Sequence, residues 1–264
     1  MKTPFVTSAI IITNPRWFGA EEQLGACLKT LIWCDEIILI VSEITPSFRC
    51  ISKSFSARLV IQQGTTFSQW RNFAADQARG DWLFYVDTDE RVTPQLQQEI
   101  QKLLLSSPSC AAYAVPRSNI ILGKEMRHGG WWPDYVLRLI KKSQFLCYEG
   151  DLHEQPKING QVGYLKSPLL HYKHQHLEDM LEKTLHWSHT EAKLMYDAHH
   201  PPMNPRRFLR PYVTEIFTRL ILKLGILDGT EGLIDGIYQG FSRFISYAQL
   251  WQMQLANQKL KTKN

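Results

Sequence analysis

Residues 80–94 read Gly-Asp-Trp-Leu-Phe-Tyr-Val-Asp-Thr-Asp-Glu-Arg-Val-Thr-Pro, and this stretch constrains the fold more than any other. The apolar run 82–86 has the length of a buried strand and ends abruptly in three carboxylates, Asp87, Asp89 and Glu90. Helix-start signals follow at Thr93 and Pro94. A strand that is apolar on both faces belongs inside a sheet covered by helices. The carboxyl end of such a strand is where open α/β sheets bind ligands. Carboxylates one residue apart can share a hard divalent cation, and such a cation commonly holds phosphates.

The first half of the chain alternates strand and helix signals. Strands are expected at 8–13, 36–41, 58–61 and 82–86, and helices at 21–32, 67–78 and 94–105. Within 21–32 the apolar residues Leu24, Cys27, Leu28 and Leu31 recur at helical spacing. This alternation predicts a mostly parallel sheet flanked by helices. From Ala111 to about Tyr172, Gly, Pro and aromatic residues with short apolar stretches predict a small antiparallel part. From about Leu177 the chain is expected to be helical, broken once at Pro201, Pro202 and Pro205. Gly229, Gly232, Gly236 and Gly240 fall inside a helical pattern, where each costs up to ~1 kcal/mol relative to Ala. Their recurrence predicts close helix packing or contact with a flat surface. The expected division is a ligand-binding domain over 1–175 and a helical region over 176–264.

The 264 residues are 44% hydrophobic, enough for a substantial core, and the net charge of +5 is too modest to indicate nucleic acid. The five cysteines are odd in number and scattered without a Cys-x-x-Cys pair, the pattern of free thiols in a reducing compartment. The apolar start is short and lacks a cleavage site, so no secretory leader is expected. No run reaches the ~18 apolar residues of a spanning helix. The cytoplasm is the expected location.

The ordered motifs resemble an inverting glycosyltransferase of family 2 with the Rossmann-like GT-A fold. Ser8-Ala9-Ile10-Ile11-Ile12-Thr13 is similar to that family's first strand, and Glu21-Glu22-Gln23-Leu24 to its Asn-Glu-Glu segment. Trp70-Arg71-Asn72-Phe73-Ala74 resembles its Arg-Asn-x-Ala helix, and Asp87-Thr88-Asp89-Glu90 its Asp-x-Asp motif. Gly130-Trp131-Trp132-Pro133, Arg138-Leu139, His153-Glu154, His171-Tyr172, Leu227-Asp228-Gly229 and Tyr247-Ala248 resemble the branch that includes lipopolysaccharide-core transferases. The resemblance covers nearly the whole chain.

It implies a UDP- or ADP-linked sugar donor, a lipid-linked oligosaccharide acceptor, and Mg²⁺ or Mn²⁺ as cofactor. Asp89 is the implied metal ligand, and Asp87 faces the ribose or the metal's waters. Arg71 contacts a phosphate or braces the acidic loop, Asn72 bonds the donor, and Arg138 supports the donor diphosphate. Glu154 is the implied general base, since such a base must be a carboxylate or histidine within reach of the acceptor hydroxyl. Asp151 is its rival and Asp134 a weaker one. His153 orients the base or contacts the diphosphate. Of Trp131 and Trp132, one is expected in the core and the other at the acceptor, where sugars stack on aromatic faces.

Two departures bear on the donor. Ala20 replaces the Asn of Asn-Glu-Glu after an extended connection. Val41-Ser42-Glu43-Ile44-Thr45-Pro46 stands where the family has Asp-Ser-Gly-Ser-Thr-Asp, so both aspartates are gone. Glu43, or Arg16 and Trp17, are left to read the nucleotide. Alternative readings are a non-catalytic glycan-binding descendant, or a transferase acting on protein or another envelope polymer. His171, His174 and His176 match no zinc spacing. Arg206, Arg207, Arg210, Arg219 and Lys223 alternate with apolar residues. That pattern suits the inner-membrane surface or, equally, a solvated basic face packed on the body.

Overall fold

The computed structural model describes residues 5–15, 20–64, 66–150 and 154–261. Two compact units emerge: Met1–Ser118 with Asp134–His171, and Asn119–Pro133 with Tyr172–Asn264.

In the first unit the expected alternation is present. Strands β1 (Thr7–Thr13), β2 (Glu36–Val41), β3 (Arg58–Ile61) and β4 (Trp82–Tyr85) pair in parallel in the order β3-β2-β1-β4. Helices α1 (Ala20–Lys29), α2 (Pro46–Ser54), α3 (Phe67–Gln77) and, after the short strand β5 (Glu90–Val92), α4 (Pro94–Leu105) flank them. Because side chains alternate across a strand, Ala9 and Ile11 join Leu39, Trp82, Phe84 and Leu96 on one face of the sheet. Ile10 and Ile12 join Ile38, Ile40, Leu83 and Trp70 on the other. The sequence offered no long apolar period for α2. Its start is set by Thr45, whose side chain accepts from the Phe48 N–H, by Pro46 in the first turn, and by burial of Phe48.

The mostly antiparallel part comprises β6 (Ala112–Ile121), β7 (Lys124–Glu125), β8 (Asp134–Lys141), β9 (Phe145–Glu149), β10 (Gln155–Ile158), β11 (Val162–Tyr164), which pairs in parallel with β6, and β12 (Leu169–His174). β8 pairs antiparallel with both β4 and β6, which continues the sheet beyond β4. β5 pairs antiparallel with β12, setting Glu90 opposite His171. β9 and β10 form a separate two-stranded sheet.

The second unit is helical: α5 (Leu177–Asp197), α6 (Pro205–Phe217) and α7 (Gly229–Lys261). The proline cluster separates α5 from α6, as expected. The glycines of α7 serve close packing. A Cβ at Gly236 would lie 2.3 Å from Leu220, and one at Gly240 2.5 Å from Ile216. No described helix is long and apolar enough to cross a membrane.

Candidate active site

β4 ends at Tyr85, and the backbone turns within the next few residues. Glu90 closes this turn on itself: its N–H donates to the Asp87 carbonyl (3.0 Å), and its carboxylate accepts from the Asp87 N–H (2.9 Å). The Glu90 side chain is fully buried, so a charge there needs partners. Arg138, on β8, donates to it, and Arg117, on β6, lies 3.7 Å away. Glu90 therefore holds the loop.

Asp87 sits between two arginines. Its Oδ1 accepts from Arg71 Nη2 at 3.1 Å and its Oδ2 from Arg138 Nη2. Burial alone would raise this carboxyl, but Arg138 and then Arg71 outweigh it and hold Asp87 well below the usual carboxylate range. Glu90 moves the other way: burial pushes it up, with Arg138 opposing and Asp87 adding to the rise.

Arg71 links this cluster to Glu154. Its Nε donates to Glu154 Oε1 at 3.2 Å while its Nη2 holds Asp87. The guanidinium is buried rather than solvated, 5.7 Å from the ring centre of Tyr85 and 5.2 Å from that of Tyr148. The Tyr85 hydroxyl donates to the Arg71 carbonyl at 3.1 Å, which fixes the helix turn that carries it. One rigid fork thus spans a carboxylate at the strand end and a carboxylate 83 residues along the chain from Arg71.

Asn72 has a different task. Its amide donates to the Tyr148 carbonyl (3.0 Å) and accepts from the Tyr148 N–H (2.6 Å), so it clips α3 to β9. Asp89 lies beside His171, with Oδ2 to Nε2 at 3.5 Å. Glu43 is exposed just beyond β2, whereas Val41 is buried and Pro46 opens α2. Arg16, Trp17, Asp151 and His153 lie outside the described residues. Among the described residues no group of three or more His, Cys, Asp or Glu side chains is arranged to hold a metal. The pair Asp87 and Asp89 nevertheless has the donor chemistry of a hard cation. Mg²⁺-type sites use one or two carboxylates and complete their shell with phosphates and water. Two arginine donors leave lone pairs on Asp87.

Trp131 and Trp132 belong to the second unit, and both are half-buried rather than one in the core and one outside. The Trp131 N–H donates to buried Asp235 at 2.7 Å, and Lys173 and Arg219 each sit 5.0 Å from its ring. Arg127 sits 5.0 Å from the Trp132 ring. A cation over each face is an environment that motif spacing cannot show.

The family model for glycosyl transferase family 2 matches residues 8–165, the span that carries Arg71, Asp87, Asp89, Glu90, Arg117, Arg138 and Glu154. The chain belongs to that family. This glycosyltransferase is 24% identical over 245 residues to the lipopolysaccharide core biosynthesis glycosyltransferase LpsC of Rhizobium meliloti, covering 88% of each chain. It is 23% identical over 260 residues to an uncharacterized glycosyltransferase of Rickettsia bellii, covering 94% of this chain and 87% of that one. Among solved structures, S. aureus TarS 1-349 aligns over 96% of this chain and 91% of that chain at 10% identity, with a TM-score of 0.45.

Sequence reasoning missed two members of the transferase's cluster. Arg117 donates through Nε to Asp134 at 2.9 Å as well as facing Glu90. Its signal was the one charged residue in a largely buried strand. His171 was read as part of a family-like His-Tyr pair and weighed as a zinc ligand, with no link to Asp89. Its place beside Asp89 follows from the β5–β12 register.

Proposed function

We propose that this glycosyltransferase is an inverting, divalent-metal-dependent enzyme. It moves a hexose or heptose from a UDP- or ADP-linked sugar to a lipid-linked oligosaccharide, in lipopolysaccharide-core assembly at the cytoplasmic face of the inner membrane. The observation that carries the reading is the Arg71 fork, which ties the nucleotide-side carboxylate Asp87 to Glu154. The likeness to LpsC supports the choice of acceptor pathway.

Asp89 and Asp87 would hold Mg²⁺ or Mn²⁺, which would supply positive charge where the leaving diphosphate develops its negative charge. Glu154 takes the proton of the attacking acceptor hydroxyl, and Arg71 orients its carboxylate for that transfer. Arg138 and Arg117 keep Glu90 and Asp87 fixed, so the loop carrying Asp89 does not rearrange as charge develops. His171 positions Asp89. Trp131 is engaged by Asp235, Lys173 and Arg219, which leaves Trp132 the better candidate to stack an acceptor sugar. Glu43 stands nearest in sequence to the missing aspartates and is assigned to the nucleotide. Asp151 stays the rival base that the resemblance offers, and His153 the residue that orients the base or contacts the diphosphate.

The test is a screen of nucleotide-sugars for release of free nucleotide diphosphate, with and without extracted glycolipid acceptor. Acceptor-dependent release from one UDP- or ADP-sugar is expected. Release with a peptide acceptor instead would reassign the acceptor. A folded protein that releases nothing and binds no nucleotide diphosphate in the presence of Mn²⁺ is a non-catalytic descendant.

A further inference from the structure

The second unit carries two amphipathic helices whose apolar residues are not all used. In α6 and the turn after it, two stripes run at intervals of four. Phe208, Tyr212, Ile216 and Leu220 meet α7: Phe208 and Tyr212 approach the Phe244 ring, and Ile216 and Leu220 lie over Gly240 and Gly236. Leu209, Val213, Phe217 and Ile221 form the second stripe, and each is at least half exposed. A helix that is apolar on its packed side and again on its outer side is not an ordinary surface helix.

The exposed apolar character continues through the elbow between α6 and α7. Leu222, Leu224, Ile226 and Leu227 are each more than half exposed. They have no route inward, because the elbow is locked. Leu224 adopts a left-handed backbone, and Gly225 behind it is packed so closely that a Cβ would stand 2.6 Å from the Arg219 carbonyl oxygen.

Charge selects what covers this surface. Residues 205–227 hold five cations (Arg206, Arg207, Arg210, Arg219 and Lys223) against one carboxylate, Glu215, which already pairs with Arg219 at 2.9 Å. The whole chain carries only +5, so this segment holds most of the net charge. Helix α5 is the control within the same unit. It also exposes leucines four apart, Leu177, Leu181 and Leu185. Its residues 177–197, however, hold five carboxylates against two lysines. An anionic surface would attract α6 and repel α5.

We propose that the α6 outer stripe and the 221–227 elbow dock on an anionic phospholipid bilayer, the leucines entering the interface and Arg206, Arg210 and Lys223 meeting headgroup phosphates. The segment lies on the membrane and does not cross it. This goes beyond the proposed reaction and does not depend on it, since docking needs neither donor nor acceptor.

The experiment is vesicle flotation of the full chain without any sugar nucleotide. Vesicles of phosphatidylethanolamine with phosphatidylglycerol are compared with vesicles of phosphatidylcholine alone. The wild type floats with the anionic vesicles and much less with the neutral ones. Leu222→Asp with Leu227→Asp lowers the bound fraction by about tenfold or more, the scale set by burying one leucine. Arg206→Glu with Arg210→Glu lowers it too and flattens its salt dependence. Leu181→Asp with Leu185→Asp on α5 leaves it unchanged. All these positions are exposed, and unchanged melting curves establish folding. No flotation of the wild type, equal flotation of the Leu222/Leu227 variant, or loss only in the α5 variant would overturn the proposal. So would a wild-type dimer in sedimentation that the Leu222/Leu227 variant converts to monomer, because a second copy would then cover the surface. Loss of turnover with flotation intact would count against the reaction alone.

Discussion

Glu90 and Asp87 in the first unit and Asp235 in the second are held in opposite ways. In the first, Glu90 and Asp87 are answered by full charges: Arg138 reaches both, Arg71 holds Asp87, and Arg117 faces Glu90. In the second, Asp235 is buried against neutral donors, the Trp131 indole N–H at 2.7 Å and the Gln239 amide at 3.1 Å. Arg219 and Lys173, each 5.0 Å from the Trp131 ring, oppose the effect of burial on it. Asp87 is accordingly driven down while burial drives Asp235 up. The difference teaches what each cluster is for. An arginine cage keeps Asp87 ionised and fixed, as the proposed cation and diphosphate site requires. A carboxylate held by neutral donors joins a loop to a helix and has no further charge to offer.

The sharpest way to break this comparison is to remove the shared arginine. Arg138→Ala leaves Glu90 buried without its main partner and should cost about 3–5 kcal/mol, measured by urea unfolding. Trp131→Phe removes one donor from Asp235 and should cost less, about 1–3 kcal/mol. If the tryptophan variant is the more destabilised, the first cluster is not held by charge. The smallest effect is in pH dependence. The Asp235 carboxyl is raised in the folded state, so the folded protein binds that proton more tightly than the unfolded chain. Its contribution is fully present below the unfolded value of about 4 and fades as pH rises through the raised value. Asp235→Asn should therefore flatten the fall in melting temperature above pH about 4. An unchanged slope would mean that Asp235 titrates normally and that the contrast between the two clusters is smaller than stated.

Much of this was legible in the sequence, for identifiable reasons. Glu36–Val41, Arg58–Ile61 and Pro94–Leu105 form with the expected bounds because each is a continuous apolar or strictly periodic run with clear stops. The α7 glycines pointed to close packing or a flat contact, and the structure shows the packing. Helix α2 was missed because its apolar period is short: Phe48, Ile51 and Phe55 pack on the core and a Thr45 cap sets its start. The cluster was half legible. Asp87, Asp89, Arg71, Arg138 and Glu154 could be named from motif order, but their pairing depends on strand register. Only the β8 pairings with β4 and β6 bring Arg138 and Arg117 to the same carboxylate, and only the β5–β12 pairing brings His171 to Asp89. Asn72 shows the limit most plainly. A polar residue in a family-like helix invites a ligand contact, yet its amide is committed in both directions to the Tyr148 backbone.

The central claim is that the acidic strand end and Glu154 are two halves of one transferase site with separate tasks. The most direct measurement sets nucleotide diphosphate binding in the presence of Mn²⁺ beside turnover, for Asp89→Ala, Glu154→Gln and Asp151→Asn. Asp89→Ala should lose metal-dependent binding and turnover together. Glu154→Gln should bind as the wild type does and turn over about 10²–10⁴-fold more slowly, the range for loss of a general base. Asp151→Asn should do neither. Wild-type turnover in Asp89→Ala, or a greater loss in Asp151→Asn than in Glu154→Gln, would contradict it.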